Sequence, residues 1–209
     1  MNNFRYSVTN LYSRVIEPVN LHESPGASFN GSQIPDEFFR AWDSISNFYD
    51  NNPTEHISFL EIGAYRGLWA LALSEFCNEK GLSYEYATVT YMEQDANNNP
   101  LYNVQKYYEG SNVKFNLINS PSQDRSLLER LNPSYNIVFI DGDHSYNMVM
   151  EDIAIYAPIA TDMVLFHDIR PKQPNPGCGV YLAINDSSLE LHEEIVVDGD
   201  WMGIGIHYV

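Results

Sequence analysis

From residue 57 onward, short apolar runs of strand length alternate with stretches whose apolar residues recur every three or four positions. Residues 57–62, 84–92, 113–118, 136–140 and 163–166 read as strands. Residues 67–80, closed by Gly81, read as a helix, as do residues 100–108 and 146–156. A third helix in chain order is expected between them. It opens on Ser120-Pro121-Ser122-Gln123, which has the capping-box form with proline at the first helical position, and runs to about residue 131. The run Asn136-Ile137-Val138-Phe139-Ile140 is almost uninterruptedly apolar, as a strand covered on both faces requires. Residues 180–185 suit a short helix, and strands at 194–197 and 202–208 flank Asp198-Gly199-Asp200, a hairpin turn signal. Repeated βα units imply an α/β fold, a doubly wound and mostly parallel sheet. Ligands of such sheets bind beyond the carboxyl ends of the strands.

Ahead of this pattern, residues 1–33 read as irregular, with Pro18, Pro25, Gly26 and Gly31 as punctuation. Residues 35–49 read as a helix carrying Phe38, Phe39, Trp42, Ile45 and Phe48, ended by Asn51-Asn52-Pro53. The expected division is an N-terminal arm and helix over residues 1–55, serving as an acceptor lid or as a packing arm, and a cofactor-binding domain over 56–209. A chain of 209 residues suits one core. Its net charge of −17 would repel phosphate backbones, so nucleic acid and anionic membranes are poor partners. With two cysteines, Cys77 and Cys178, there is no disulfide framework. The N-terminus lacks the apolar run of a signal peptide, and the expected location is the cytoplasm.

The loop after the first strand is Glu61-Ile62-Gly63-Ala64-Tyr65-Arg66-Gly67. Its glycines permit a sharp turn and close backbone approach to a ligand. Glu61 sets a carboxylate there, which disfavours a pyrophosphate and favours a cationic ligand such as a sulfonium. The spacing is not Gly-x-Gly-x-x-Gly, which disfavours a nicotinamide cofactor. After the second strand, Glu93 is placed to accept ribose hydroxyls, with Asp95 as the other candidate. In the order strand, Glu-x-Gly-x-x-x-Gly, helix, strand, acid, the chain resembles the class I S-adenosylmethionine-dependent methyltransferases, from about residue 55 to 209. The resemblance implies a seven-stranded, Rossmann-like sheet with an antiparallel last hairpin. It also implies that Glu61, Gly63, Gly67 and Glu93 bind the cofactor. Ser120-Pro121-Ser122-Gln123-Asp124 is similar to the adenine-contacting segment of small metal-dependent O-methyltransferases, which would put Ser122 and Gln123 beside the base. Helix capping is the other reading of the same residues.

Asp141-Gly142-Asp143-His144-Ser145-Tyr146 follows the fourth strand, and His167-Asp168 the fifth. If these strands are neighbours, Asp141 and Asp168 meet at one rim, where two carboxylates need a proton or a cation between them. Magnesium suits a few carboxylates with substrate and water. A neutral histidine nearby would then accept a proton from a substrate hydroxyl. This pair of motifs resembles the small-molecule and sugar O-methyltransferases that include macrolide-sugar and rhamnosyl enzymes, a group often named cephalosporin hydroxylase. The resemblance makes Asp141 and Asp168 metal ligands, with Asp141 also at the cofactor, and makes His144, as base, and Asp141 the catalytic residues. Relatives carry an amide or an acid after the second metal acid. This chain has Ile169, so Asp143 or His167 would complete the shell.

The expected activity is therefore methyl transfer from S-adenosylmethionine to a hydroxyl of a small molecule or sugar, with Mg2+ as an auxiliary ion. The expected partner is that acceptor, and self-association into a homo-oligomer stays open. Two alternatives come from other classes: a non-haem iron oxygenase using His144, His167 and Asp168 or Asp141, and a cofactor-binding protein without turnover.

Overall fold

The computed structural model describes residues 2–16, 35–91, 100–109, 111–171, 178–197 and 202–209. In chain order its regular elements are α1 (Asn2–Val15), α2 (Pro35–Asn51), β1 (His56–Ile62), α3 (Leu68–Lys80), β2 (Ser83–Thr90), α4 (Pro100–Tyr108), β3 (Lys114–Asn119), β4 (Tyr135–Ile140), α5 (Tyr146–Tyr156), β5 (Ala160–His167), α6 (Val180–Asp186), β6 (Glu193–Ile195) and β7 (Ile204–Tyr208). The strands form one seven-stranded sheet in the order β3-β2-β1-β4-β5-β7-β6. Strands β1 to β5 pair in parallel, and β7 runs antiparallel to both β5 and β6. This is the doubly wound sheet with an antiparallel end that the alternating pattern implies.

Side-chain alternation along the strands sorts the core into two layers. Ile57 and Phe59 of β1 pack with α1, α2, α3 and α4, whereas Leu60 and Ile62 pack with α5 and α6. Strand β4 is buried along most of its length, and this is why its sequence shows a continuous apolar run instead of alternation. Trp69 packs edge-on to Phe38 and lies 4.5 Å from Phe139, so it is a core residue.

Two expectations are corrected. Residues 2–15 are helical, not irregular: α1 buries Phe4, Val8, Leu11 and Tyr12, and its contacts are chiefly with α3. Those four positions have helical spacing, which the prolines and glycines further along obscured. The expected helix after Ser120 is instead a short 3-10 turn, Arg125–Glu129. Its cap is Asp124, whose side chain accepts from the Ser126 N–H, and the Gln123 amide is turned to Ser122 and Asp152. The expected hairpin turn at Asp198-Gly199-Asp200 lies outside the described residues.

Helix α2 is fastened to the sheet end by a buried acid. Glu37, in the first turn of α2, is fully buried. Its Oε1 accepts from the Val197 N–H at 3.2 Å and its Oε2 from the Gly203 N–H at 3.1 Å. One carboxylate thus satisfies a backbone donor on each side of the segment joining β6 to β7. Glu37→Ala should strand both donors and cost about 2–4 kcal/mol of unfolding free energy, read from urea denaturation. Glu37→Gln should recover only part of this, because its NH2 would face one of the two N–H groups.

Candidate functional site

The carboxyl ends of β1, β2 and β4 are held in register by backbone contacts. The Gly63 N–H donates to the Val89 carbonyl at 2.9 Å and the Asp141 N–H to the Ile62 carbonyl at 2.9 Å. Gly63 has φ +92, and a Cβ there would lie 2.1 Å from the Asp141 carbonyl oxygen. The glycine is therefore required by the approach of the β4 loop as well as by backbone conformation. Gly67, with φ +77, ends the loop and starts α3.

Glu61 points to the α3 side of the sheet and is 3 % exposed. The Tyr86 hydroxyl donates to its Oε2. Burial, reinforced by the charge of Asp141, pushes the Glu61 carboxyl well above the ordinary carboxylate range. A cation placed beside this loop would reverse that cost. Glu93 and Asp95 lie outside the described residues.

Beyond β3, Ser122 and Gln123 lie side by side. The Gln123 Nε2 donates to the Ser122 Oγ at 2.7 Å and to Asp152 Oδ1 at 3.2 Å. Asp152, on α5, is fully buried, and its Oδ2 has no partner among the described residues. Burial raises its carboxyl from the ordinary 3.8 to about 6, against hydrogen bonds from Ser122 and Gln123. Asp143 and Glu151 add further negative charge nearby. Sequence reasoning passed over Asp152. The signal was present, because it falls on the same face of α5 as Val149, Ile153 and Tyr156.

Strands β4 and β5 are parallel neighbours, with Ile140 opposite Phe166. Asp141, His144, His167 and Asp168 consequently share one rim. They form a chain of contacts with the imidazoles between the acids. His144 Nε2 lies 3.4 Å from Asp141 Oδ1, and His144 Nδ1 lies 2.9 Å from Asp168 Oδ2. His167 Nδ1 lies 3.1 Å from Asp141 Oδ1 and 3.7 Å from Asp168 Oδ1. Hydrogen bonds to Asp141 and Asp168 raise His144 to about 10, outweighing its desolvation. The two carboxylates beside it favour the protonated form of the ring. Burial would raise Asp141, but His167 and His144 outweigh it and hold the carboxyl below its ordinary value. Asp168 has φ +60, an uncommon conformation for a non-glycine residue, and the side chain it carries is buried.

The two residues expected to stand in for the missing third ligand behave differently. Asp143 is exposed, and its Oδ1 accepts from the Ser145 N–H at 2.7 Å at the start of α5. It is a helix-entry acid. His167 is 4 % exposed and joined to Asp141. A residue not singled out from sequence also borders the rim: Cys178, whose sulfur is grouped with His144 and Asp168, all three donor atoms within 4.8 Å of one another. No local pattern marks it, since it stands 34 residues after His144 in the chain and 10 after Asp168.

Known proteins share the sheet that carries this site. A family model described as a methyltransferase domain matches residues 60–169, from β1 to the residue after Asp168. No curated protein sequence matches the chain. Among solved structures, the MycE methyltransferase of the mycinamycin biosynthetic pathway, in complex with Mg, SAH and mycinamycin VI, is similar with a TM-score of 0.56 at 15 % identity. The match covers 97 % of this chain and 54 % of that one, so the chain spans about half the length of MycE. An apo TDP-rhamnose 3'-O-methyltransferase of calicheamicin biosynthesis has a TM-score of 0.54 at 15 % identity, over 99 % of this chain and 93 % of its own. An O-methyltransferase from Bacillus cereus in complex with SAH has a TM-score of 0.57 at 14 % identity, over 100 % and 91 %. At such identities the likeness establishes the fold. The oxygenase alternative finds no support, in the sheet or in these matches. Because the family model spans more than half of its length, the chain belongs to the methyltransferase-domain family.

Proposed function

We propose that the protein transfers the methyl group of S-adenosylmethionine to a hydroxyl of a small molecule or sugar. The observation that carries this reading is the junction of two halves of a site. The Glu61–Gly67 loop is held against the peptide of Asp141, the first acid of the rim. A donor bound over the loop is thereby brought beside the groups that would meet an acceptor. In-line methyl transfer requires that alignment more than any covalent participation by the protein.

The parts divide as follows. Gly63 and Gly67 let the loop approach the donor, and Glu61 offers a buried carboxylate to the sulfonium end. Glu93 would hold the ribose hydroxyls. Ser122 and Gln123, tied back by Asp152, would flank the adenine. A divalent cation, which MycE holds as magnesium, would lie against Asp141 and Asp168 and lower the pKa of the acceptor hydroxyl. The proton then has the Asp141–His144 pair within reach. Residues 1–55 would border the acceptor through α2, whose Glu37 is fixed to the β6–β7 segment. A small-molecule acceptor suits a chain of net charge −17 better than nucleic acid does. No helix among the described residues is long and apolar enough to cross a membrane.

Titration calorimetry should show binding of S-adenosylmethionine and S-adenosylhomocysteine and none of NAD. Binding of NAD alone would overturn the reading. Gly63→Ala should abolish cofactor binding together with several kcal/mol of stability, since its Cβ meets the Asp141 carbonyl and not merely the ligand. Glu93→Ala should weaken S-adenosylhomocysteine binding by about ten- to a hundredfold while leaving the melting temperature unchanged, as expected for hydrogen bonds worth roughly 1.5–3 kcal/mol.

Asp152 supplies a pH test. Its carboxyl binds a proton more tightly in the folded chain, with a value raised from 3.8 to about 6. The folded state therefore holds more protons in that interval. The contribution of this group to stability is most favourable below 3.8, declines as pH rises, and levels off above about 6. Asp152→Asn should remove that decline. The difference between variant and wild-type unfolding free energies should grow by on the order of 3 kcal/mol across the window.

A further inference from the structure

We infer that Asp152 is a positioning residue that fixes which end of the Gln123 amide meets the base of the cofactor, and so makes the site select a purine with a 6-amino group over one with a 6-oxo group. This rests on the placing of Ser122 and Gln123 beside the adenine proposed above.

A glutamine amide carries two N–H donors on its nitrogen and an acceptor on its oxygen, and a half-turn about its last bond exchanges the two ends. Alone, it can read either a donor or an acceptor on a ligand. Here the nitrogen is committed inward: Gln123 Nε2 donates to the Ser122 Oγ at 2.7 Å and to Asp152 Oδ1 at 3.2 Å. An ionised carboxylate only accepts, so the amide must turn a donor to it. What remains for a ligand is the carbonyl oxygen, Oε1.

The carboxylate cannot release that donor cheaply. Asp152 is fully buried, and its Oδ2 has no partner among the described residues. A Cβ on Gly142 would lie 3.3 Å from that oxygen, so the carboxylate sits beneath the β4 loop and away from water. Hydrogen bonds from Ser122 and Gln123 are what favour its charged form. A flipped amide would withdraw one of them and set its carbonyl against the carboxylate, two acceptors face to face where little water screens them. The backbone of the segment is held by the same helix: the Tyr156 hydroxyl, one turn further along α5, donates to the Ser122 carbonyl. Helix α5 thus fixes both the place of the segment and the polarity of its amide.

An outward acceptor suits the exocyclic 6-NH2 of adenine, which donates. In hypoxanthine a carbonyl oxygen stands at that position and would meet Oε1 lone pair to lone pair. A site built around such a hydrogen bond rejects the analogue that lacks it, because its own polar group is left unpaired. For one unpaired group the loss corresponds to roughly ten- to a hundredfold in affinity.

The test is calorimetry on the full chain at pH 8, above the value of about 6 to which burial raises Asp152. The wild-type chain should bind S-adenosylhomocysteine roughly ten- to a hundredfold more tightly than S-inosylhomocysteine, its 6-oxo counterpart. Asp152→Asn keeps the shape but can turn either a donor or an acceptor to Gln123, so both orientations of the amide become accessible and the preference should largely collapse. Gln123→Met, at a half-buried position, removes the amide while leaving Asp152 in place, and should erase the preference as well. If Asp152→Asn weakens both ligands in parallel and leaves their ratio intact, Asp152 has a structural role only and the inference is overturned. A wild-type chain that binds the two ligands equally overturns it too, and leaves the cofactor reading standing. Binding of neither ligand removes the cofactor reading and this inference with it.

Discussion

The approach of the β1 loop to the β4 loop, with Gly63 against the Asp141 peptide, is the contact on which the rest of the site depends. No side chain fits between them: the Cβ of any other residue at 63 would fall 2.1 Å from the Asp141 carbonyl oxygen. Two hydrogen bonds, from Gly63 to Val89 and from Asp141 to Ile62, draw the ends of β2, β1 and β4 together. Because β4 is also the neighbour of β5, the same register delivers His167 and Asp168 to the rim. A loop suited to a cofactor and a cluster suited to an acceptor are thus consequences of one strand order.

The rim concentrates charge in a chain already strongly acidic. Asp141 and Asp168 are kept from mutual repulsion by His144 and His167, which stand between and beside them. Elsewhere, acids removed from water meet the same difficulty in other ways. Glu37 is satisfied by two backbone N–H groups, Glu61 by Tyr86, and Asp152 by Gln123 and a raised affinity for its proton. Each buried carboxylate joins segments distant in sequence, and each is costly to leave unpaired.

The strand runs of the sheet and its antiparallel end were legible in the chain, because periods of two and of three to four are local properties of ten or so residues. The acids and histidines after β4 and β5 were legible for the same reason: they follow apolar runs whose ends are easy to find. Helix α1 was legible in principle at Phe4, Val8, Leu11 and Tyr12, but the neighbouring prolines and glycines pulled the reading toward irregular structure. The expected helix after Ser120 was lost to a competing interaction, since the Gln123 side chain reaches Ser122 and Asp152 and does not close a capping box.

By itself, the sequence determined the fold class, the glycine loop after β1 and the identity of the acids at the strand ends, since these follow from local periodicity and from where apolar runs stop. Only the tertiary structure decided which of those groups touch. It put the His144 imidazole between Asp141 and Asp168, whose carboxylates favour its protonated form. It set Cys178 beside His144 through a backbone contact at Gly179, and it gave Glu37 its partners at Val197 and Gly203. The physical reason is common to all three. A side chain's protonation and its partners depend on burial and on donors brought from far along the chain, and these exist only once strand order and loop packing have brought those segments together.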